Sequence, residues 1–502
     1  MSSDVWMKLA RFLKIPGLVR KILAVAVALV IGVMPGFLFS TGQAADRYML
    51  EGDAVFGTAA GDKWTAGFGS AVLTPEDIMA DTYYIAGYYT NNPAQGVLDD
   101  MVARAVYLDD NTGRGGVVLC AIDCVGISRS DINQIRKIVI DSGEIPGVKS
   151  INIAATHSHS AIDTQGIWGK EFYSTGRNKA FMENLRQKTA QAIIAAYHDR
   201  RDGNLYIGTA ETDGLQTDMR TPVDYSKTLT SIRFAPADGS PATYMVNYAC
   251  HPELLGKNTK QVSADFPAYM GREIERLSGG ANFIFFNGAI GGMISASNIM
   301  EVYDNPDFDC VQYTMDFGKA LGGIVMGIGN ETPIAPLVNI KTRGVAVPCD
   351  NYMLVLARFL GVLNNDMAKN SGGTSASVFS EISYLELGSK QVGMFLIPGE
   401  LYPELVSGNF LPAEDSPLGF AADYKVLSGL SDCDHQFVMG LCNDELGYII
   451  PDNDFYLHEW LPYMNIPKDA FGREHYEETN STGPGTARAI LEAMDELITS
   501  AK

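Results

Sequence analysis

Short runs of β-branched and apolar residues alternate along this chain with stretches whose apolar positions recur at helical spacing. Residues 104–108, 116–124 and 150–156 read as strands, as do 205–208, 230–234, 243–248 and 282–286, the last apolar after its first residue. Residues 130–140, 181–197, 265–277 and 486–498 carry the helical period. A hairpin is expected where 382–387 and 391–397 flank Gly388-Ser389. Strands and helices mix in this way along the whole length, with no internal repeat and no low-complexity linker. The pattern predicts an α/β fold: a mixed β-sheet core, one sheet or two packed together, flanked by helices. A single large domain from residue 46 to 502 is the simplest organisation.

The first 45 residues follow a different pattern. Lys8, Arg11, Lys14, Arg20 and Lys21 precede an apolar run from 22 to 39, and small residues follow up to Ala44 and Ala45. That is the layout of a secretory signal peptide, with a membrane anchor through residues 22–39 as the alternative. Either reading places the remainder outside the cytoplasm, secreted or extracytoplasmic.

Composition narrows the partners. Apolar residues make up 46% of the 502 and charged residues 19%, as in a globular protein with a sizeable core. The net charge is −21, with no basic cluster after the leader, which argues against nucleic acid and polyanionic substrates. Seven cysteines leave at least one unpaired and form no CxxC pair. Cys120 and Cys124 read as small core residues.

Candidate chemistry lies at the ends of the expected strands. His157 and His159 close the run 150–156, and two residues apart on a strand they would share one face. His251-Pro252 ends another strand, the proline stopping it. Glu400 follows Pro398-Gly399, where glycine permits a sharp turn, and Tyr448 follows the apolar run 437–441. Imidazoles, a carboxylate and a phenol form an N/O donor set suited to Zn²⁺. Each segment alone also reads as ordinary structure: a turn, a helix start, a core tyrosine.

Taken together and in order, these motifs make the chain resemble the neutral (non-lysosomal) ceramidases, over residues 67–484. The matching stretches are Thr156-His-Ser-His-Ser160, Met219-Arg220-Thr-Pro222, and His251-Pro252 with Ser263-Ala-Asp265-Phe-Pro-Ala-Tyr269. They continue through Pro398-Gly-Glu400, Gly440-Leu-Cys-Asn443 with Tyr448-Ile449, and His475-Tyr476-Glu477 with Gly483-Pro484. The resemblance implies one zinc per chain, held by His157, His251, Glu400 and Tyr448. It implies that His159, Arg220 and Tyr476 contact the scissile amide or the head group beside it. The expected activity is hydrolysis of the N-acyl amide of ceramide or a related lipid, with association to a membrane surface a further expectation.

Two departures qualify the resemblance. Where the family carries an acid after its apolar strand, this chain has Gly292, so a general base must come from elsewhere. Asp265 is the sequence's candidate, or else a partner holding His251. The C-terminal β-sandwich of full ceramidases is also expected to be absent, and an aromatic, acidic insertion lies between Tyr448 and Tyr476. Met293, Ile294, Ile167 and Trp168 are expected to wall an acyl slot, with Phe455, Tyr456, Trp460 and Tyr463 as an aromatic lip. The rival readings are a hydrolase of a smaller amide or ester, an H-x-H barrel hydrolase, and a non-catalytic binding protein on the same scaffold. The metallo-β-lactamase pattern is absent, since Ser160-Ala161-Ile162 follows His159.

Overall fold

The computed structural model describes residues 57–369 and 376–499; the leader at 1–45 lies outside them. Its core is two β-sheets packed face to face with helices outside both, in keeping with the expected mixed α/β class. The larger sheet starts at one edge with Asn282–Asn287, Thr243–Tyr248, Thr228–Pro236 and Arg201–Glu211. It continues through Trp64–Val72, Val102–Asp109 and Val117–Ile122 to Ser150–Ala155, and the short Thr332–Ile334 pairs with Arg201–Glu211. Pairing is antiparallel except at the two ends of this series. There Asn282–Asn287 runs parallel to Thr243–Tyr248, and Val117–Ile122 runs parallel to Ser150–Ala155.

The second sheet orders Val338–Cys349, Ala376–Leu387, Val392–Leu396 and His435–Met439, the last two parallel, with Met367–Lys369 added beside Ala376–Leu387. The hairpin expected at 382–397 is its centre.

Alternation along the strands explains the layering. In Val117–Ile122, residues Val117, Leu119 and Ala121 face the second sheet, and Val118, Cys120 and Ile122 face the helices. Both faces are covered, which is why this run is apolar throughout. Helices Arg129–Ser142 and Lys179–His198 cover the outer face of the large sheet, with Ile132, Ile135, Leu185 and Ile193 at zero exposure. Helices Phe266–Ser278 and Cys310–Met326 cover the outer face at its Asn282 end, packing on Val246, Tyr248, Phe283 and Phe285. Thr486–Thr499 covers the second sheet through Ile490, Leu491 and Met494. This layered architecture is not a barrel of parallel strands, which removes the H-x-H barrel reading.

Among the described residues no helix is long and apolar enough to cross a membrane. All seven cysteines are free thiols, six of them buried.

Candidate metal centre and cavity

The C-terminal ends of four strands converge on one site. Ser150–Ala155 leads to His157, Thr243–Tyr248 to His251, Val392–Leu396 to Glu400 and His435–Met439 to Tyr448. Two asparagines tie these segments together. Asn287 donates from Nδ2 to the carbonyls of Thr156 and Cys250 and accepts from the Cys250 amide, bridging the two histidine loops. Asn443, at φ 67°, accepts from the Ile153 amide and donates to Asn152, fixing the Tyr448 segment to the His157 strand.

The H-x-H geometry differs from the expectation of a shared strand face. The strand ends at Ala155, and His157 sits in the left-handed region at φ 72°. Backbone bonds hold this turn: His157 and Ser158 amides donate to the Cys124 carbonyl, and the His159 amide to that of Pro252. The histidines therefore converge through a fixed loop instead of through strand alternation. Room for the second comes from Gly87, where a Cβ would lie 2.6 Å from that of His159.

His157, His159 and His251 are buried, with ligand nitrogens all within 4.8 Å of one another. His157 Nδ1 lies 2.5 Å from the Val125 carbonyl and His251 Nδ1 lies 2.8 Å from that of Ile294. A carbonyl only accepts, so both Nδ1 atoms carry the hydrogen, which leaves each Nε2 to offer a lone pair to a metal or, without one, to hold a proton facing Glu400. Those Nε2 atoms face one oxygen, Glu400 Oε2, at 3.4 and 3.0 Å. The 3.4 Å approach lacks hydrogen-bond geometry, leaving His157 Nε2 without a partner. Two imidazole lone pairs and a carboxylate oxygen aimed at one point repel unless a cation or proton lies among them. The donor set fits a divalent metal of zinc type, with the carbonyl partners orienting the rings as such sites require. Tyr448 is beside them, its hydroxyl spending its proton only on the weak acceptor Met293 Sδ at 3.0 Å.

Charge follows the same arrangement. Against the cost of burial, His157 and His251 hold the Glu400 carboxyl well below the usual range. Burial, reinforced by the two neighbouring imidazoles, pushes the His159 ring well down, so it is neutral. Both His159 ring nitrogens lack hydrogen-bond partners. Its nearest carboxylate is Glu253, 3.9 Å from Nδ1, which is itself held by the hydroxyls of Tyr88 and Tyr303. Glu253 was not legible as a site residue, although its place two residues after His251 was available as a signal.

Two further candidates lie elsewhere. Arg220, 6% exposed, is enclosed by Asp454, Glu477 and Glu478 at 2.5–3.0 Å, with Tyr402 and His475 completing its bonds. It does not line the cavity beside the histidines. Nor does Asp265: its oxygens accept from the Phe266 and Leu255 amides, capping the helix Phe266–Ser278. Burial raises the Asp265 carboxyl to about 7. Tyr476 does line the cavity, its ring 6.4 Å from that of Tyr448.

That cavity holds about 110 Å³, and His157, His159, Glu400 and Tyr448 form one wall. Ile167 and Trp168 line it as expected, but the other apolar contributors, Leu354, Leu363, Met367 and Val378, were not foreseen. The expected lip is not formed. Phe455 and Tyr463 are core residues, Tyr456 packs on His475, and Trp460 is half exposed. Ile294 is likewise core, and Met293 packs against Tyr448.

This arrangement of sheets and site-bearing loops is a neutral-ceramidase-like fold. Among solved structures, the neutral ceramidase from Pseudomonas aeruginosa superposes with a TM-score of 0.65 at 14% identity, covering 88% of this chain and 75% of that one. A ceramidase complexed with C2 matches equally well at 14% identity, over 87% of this chain and 75% of the other. No family model and no curated protein matches the sequence.

Proposed function

We propose that this chain is a secreted zinc-dependent amidohydrolase that cleaves the N-acyl amide of ceramide or a related N-acyl lipid. One observation carries the reading: His157 and His251, each fixed through Nδ1, turn Nε2 onto one Glu400 oxygen beside an apolar cavity. The ceramidase-like fold supports it, and the leader at 1–45 supports export. His157, His251, Glu400 and Tyr448 would hold the metal. Bound there, zinc supplies Lewis acidity, polarising an amide carbonyl and making water nucleophilic near neutral pH.

The remaining residues bind and orient. His159, neutral and with both ring nitrogens free, accepts a hydrogen bond at one and donates at the other, as proton movement across a tetrahedral centre requires. The Tyr476 phenol at the cavity wall is a donor for the substrate's polar end. Ile167, Trp168, Leu354, Leu363 and Met367 provide apolar surface for an acyl chain, each buried methylene stabilising the complex by about 0.8 kcal/mol.

The test combines elemental analysis of the purified protein with fatty-acid release from N-acyl substrates, with and without a chelator. The expected result is one zinc per chain and chelator-sensitive release that improves with acyl length. Protein free of stoichiometric metal, or a flat length series, overturns the reading.

A further inference from the structure

Glu253 is fully buried two residues beyond His251, and it does not line the cavity. Its Oε2 accepts from the Tyr303 hydroxyl at 2.6 Å and from that of Tyr88 at 3.2 Å, while its Oε1 has no partner. Two phenol donors converging on one oxygen define that oxygen as an acceptor. The same Oε2 stands 3.9 Å from His159 Nδ1, which also lacks a partner. A movement of about 1 Å would turn this approach into a hydrogen bond, and such bonds are commonly long before substrate is bound.

The backbone holds these side chains against one another. The His159 amide donates at 2.9 Å to the carbonyl of Pro252, the residue before Glu253. On the other side, the Ala86 amide donates to the Ala161 carbonyl at 2.9 Å, which brings Gly87 onto the His159 side chain. Tyr88 follows directly. Its ring meets that of His159 edge-on at 5.3 Å, and its hydroxyl also lies 3.0 Å from the Glu253 carbonyl. Tyr303 comes from the short helix Ile299–Asp304, with its ring 6.4 Å from that of Tyr88. Two phenols, a carboxylate and an imidazole thus form one cluster behind the cavity wall.

We propose that Glu253, braced by Tyr88 and Tyr303, is a positioning residue that fixes the tautomer and orientation of His159. A ring N–H turned towards an acceptor oxygen is attracted, whereas a lone pair turned the same way is repelled, so the hydrogen resides on Nδ1. Nε2 then keeps its lone pair. His159 lines the cavity, and the nitrogen it has left for a ligand is the accepting one. In hydrolysis that nitrogen takes a proton from the attacking water and returns it to the leaving nitrogen, while Glu253 stays clear of the reacting atoms. This arrangement also meets the lack of an acid at Gly292, because the base is an imidazole oriented by a carboxyl group behind it. The proton step rests on the amidase reading; the tautomer rests on the cluster alone.

Nitrogen-15 spectra of the histidine-labelled protein read the tautomer directly, with His159→Gln identifying its signals among the seven histidines. The wild type is expected to carry the His159 hydrogen on Nδ1; finding it on Nε2 overturns the proposal without recourse to any variant. Glu253→Leu removes the acceptor and should let His159 populate both tautomers, with kcat falling about a hundredfold while KM and metal content hold. In Glu253→Gln the two tyrosine hydroxyls keep the amide oxygen at the Oε2 position, so the tautomer and most of the rate should return. The unfolding midpoint reports that each variant is folded. An unchanged tautomer in the folded leucine variant, a loss of KM or metal alongside kcat, or no recovery with glutamine overturns the proposal. A tautomer that follows residue 253 in a protein hydrolysing no N-acyl amide would remove the amidase reading and leave the positioning role standing.

Discussion

Replacing Arg220 by methionine separates two roles that the residue could have, contact with a substrate head group and neutralisation of a buried acidic cluster. Asp454, Glu477 and Glu478 all pair with its guanidinium, and all three are at most 5% exposed. Methionine keeps much of the volume and removes the charge. Breaking a buried ion pair by deleting one partner costs about 3–5 kcal/mol, because the remaining charge is stranded. Three acids do not triple this figure, since stranded carboxylates take up protons instead of staying charged. At an unfolding entropy near 2.1 cal/mol/K per residue, a folded unit of roughly 440 residues loses about 1 °C per kcal/mol, so the midpoint should fall by roughly 3–5 °C near pH 7. The sign of the pH dependence follows from the acids. Burial already raises Asp454 to about 6 and pushes Glu477 up. Without Arg220 their folded-state values rise further. A raised carboxylate contributes stability at low pH that is lost as pH rises through its folded value. The defect should therefore shrink as pH is lowered towards 5. Thermal unfolding followed by circular dichroism at both pH values checks it. An unchanged midpoint with turnover abolished would refute the reasoning and return Arg220 to the substrate.

Four further outcomes are expected. His251→Ala should empty the metal site, whereas His159→Ala should keep the metal and lose rate; metal content measured beside kcat distinguishes the two histidine roles. Leu354→Trp should shift the preferred acyl length downwards by filling the cavity, readable as kcat/KM across a chain-length series, and an unchanged optimum would place the acyl chain elsewhere. Asn287→Ala should cost several kcal/mol, because it orphans the buried carbonyls of Thr156 and Cys250 together with the Cys250 amide; a denaturation midpoint within error of wild type would contradict that. Asp265, raised from 3.8 to about 7 by burial, should make stability fall as pH rises from about 4 to 7, and Asp265→Asn should flatten that slope even though it weakens the bond to Leu255.

Much of the layered core was legible because its strands are apolar on both faces and its helices carry a clean period. Residues 117–122, 243–248 and 282–287 were foreseen almost to the residue. The segments missed are those whose pattern depends on distant partners. Trp64–Val72 has two glycines and looks like loop, yet Gly67 and Gly69 are where the helix Lys179–His198 crosses it, with backbone 2.2 Å from either built Cβ. Tyr352–Phe359 is a short apolar run with no polar face to give a helical period, its residues only partly buried against the core, and Leu354 on it reaches the cavity. Within the site, residue types were readable but roles were not. The H-x-H pair converges for a reason unrelated to strand alternation, since His157 lies in a left-handed turn that spacing does not reveal. Arg220 and Asp265 had suitable chemistry, and only tertiary placement shows the first among three acids and the second on two backbone amides.

The donors around Glu400 come from both sheets: His157 and His251 follow strands of the large one, while Glu400 and Tyr448 belong to segments leaving the small one. A cation bound among them would rivet the two halves of the sandwich at one end. By thermodynamic linkage, a ligand at a hundred times its dissociation constant adds about 2.7 kcal/mol to the folded state. Sliding of one sheet over the other would then be resisted by coordination bonds as well as by side-chain interdigitation. Metal availability would set the mechanical integrity of that end as well as its chemistry.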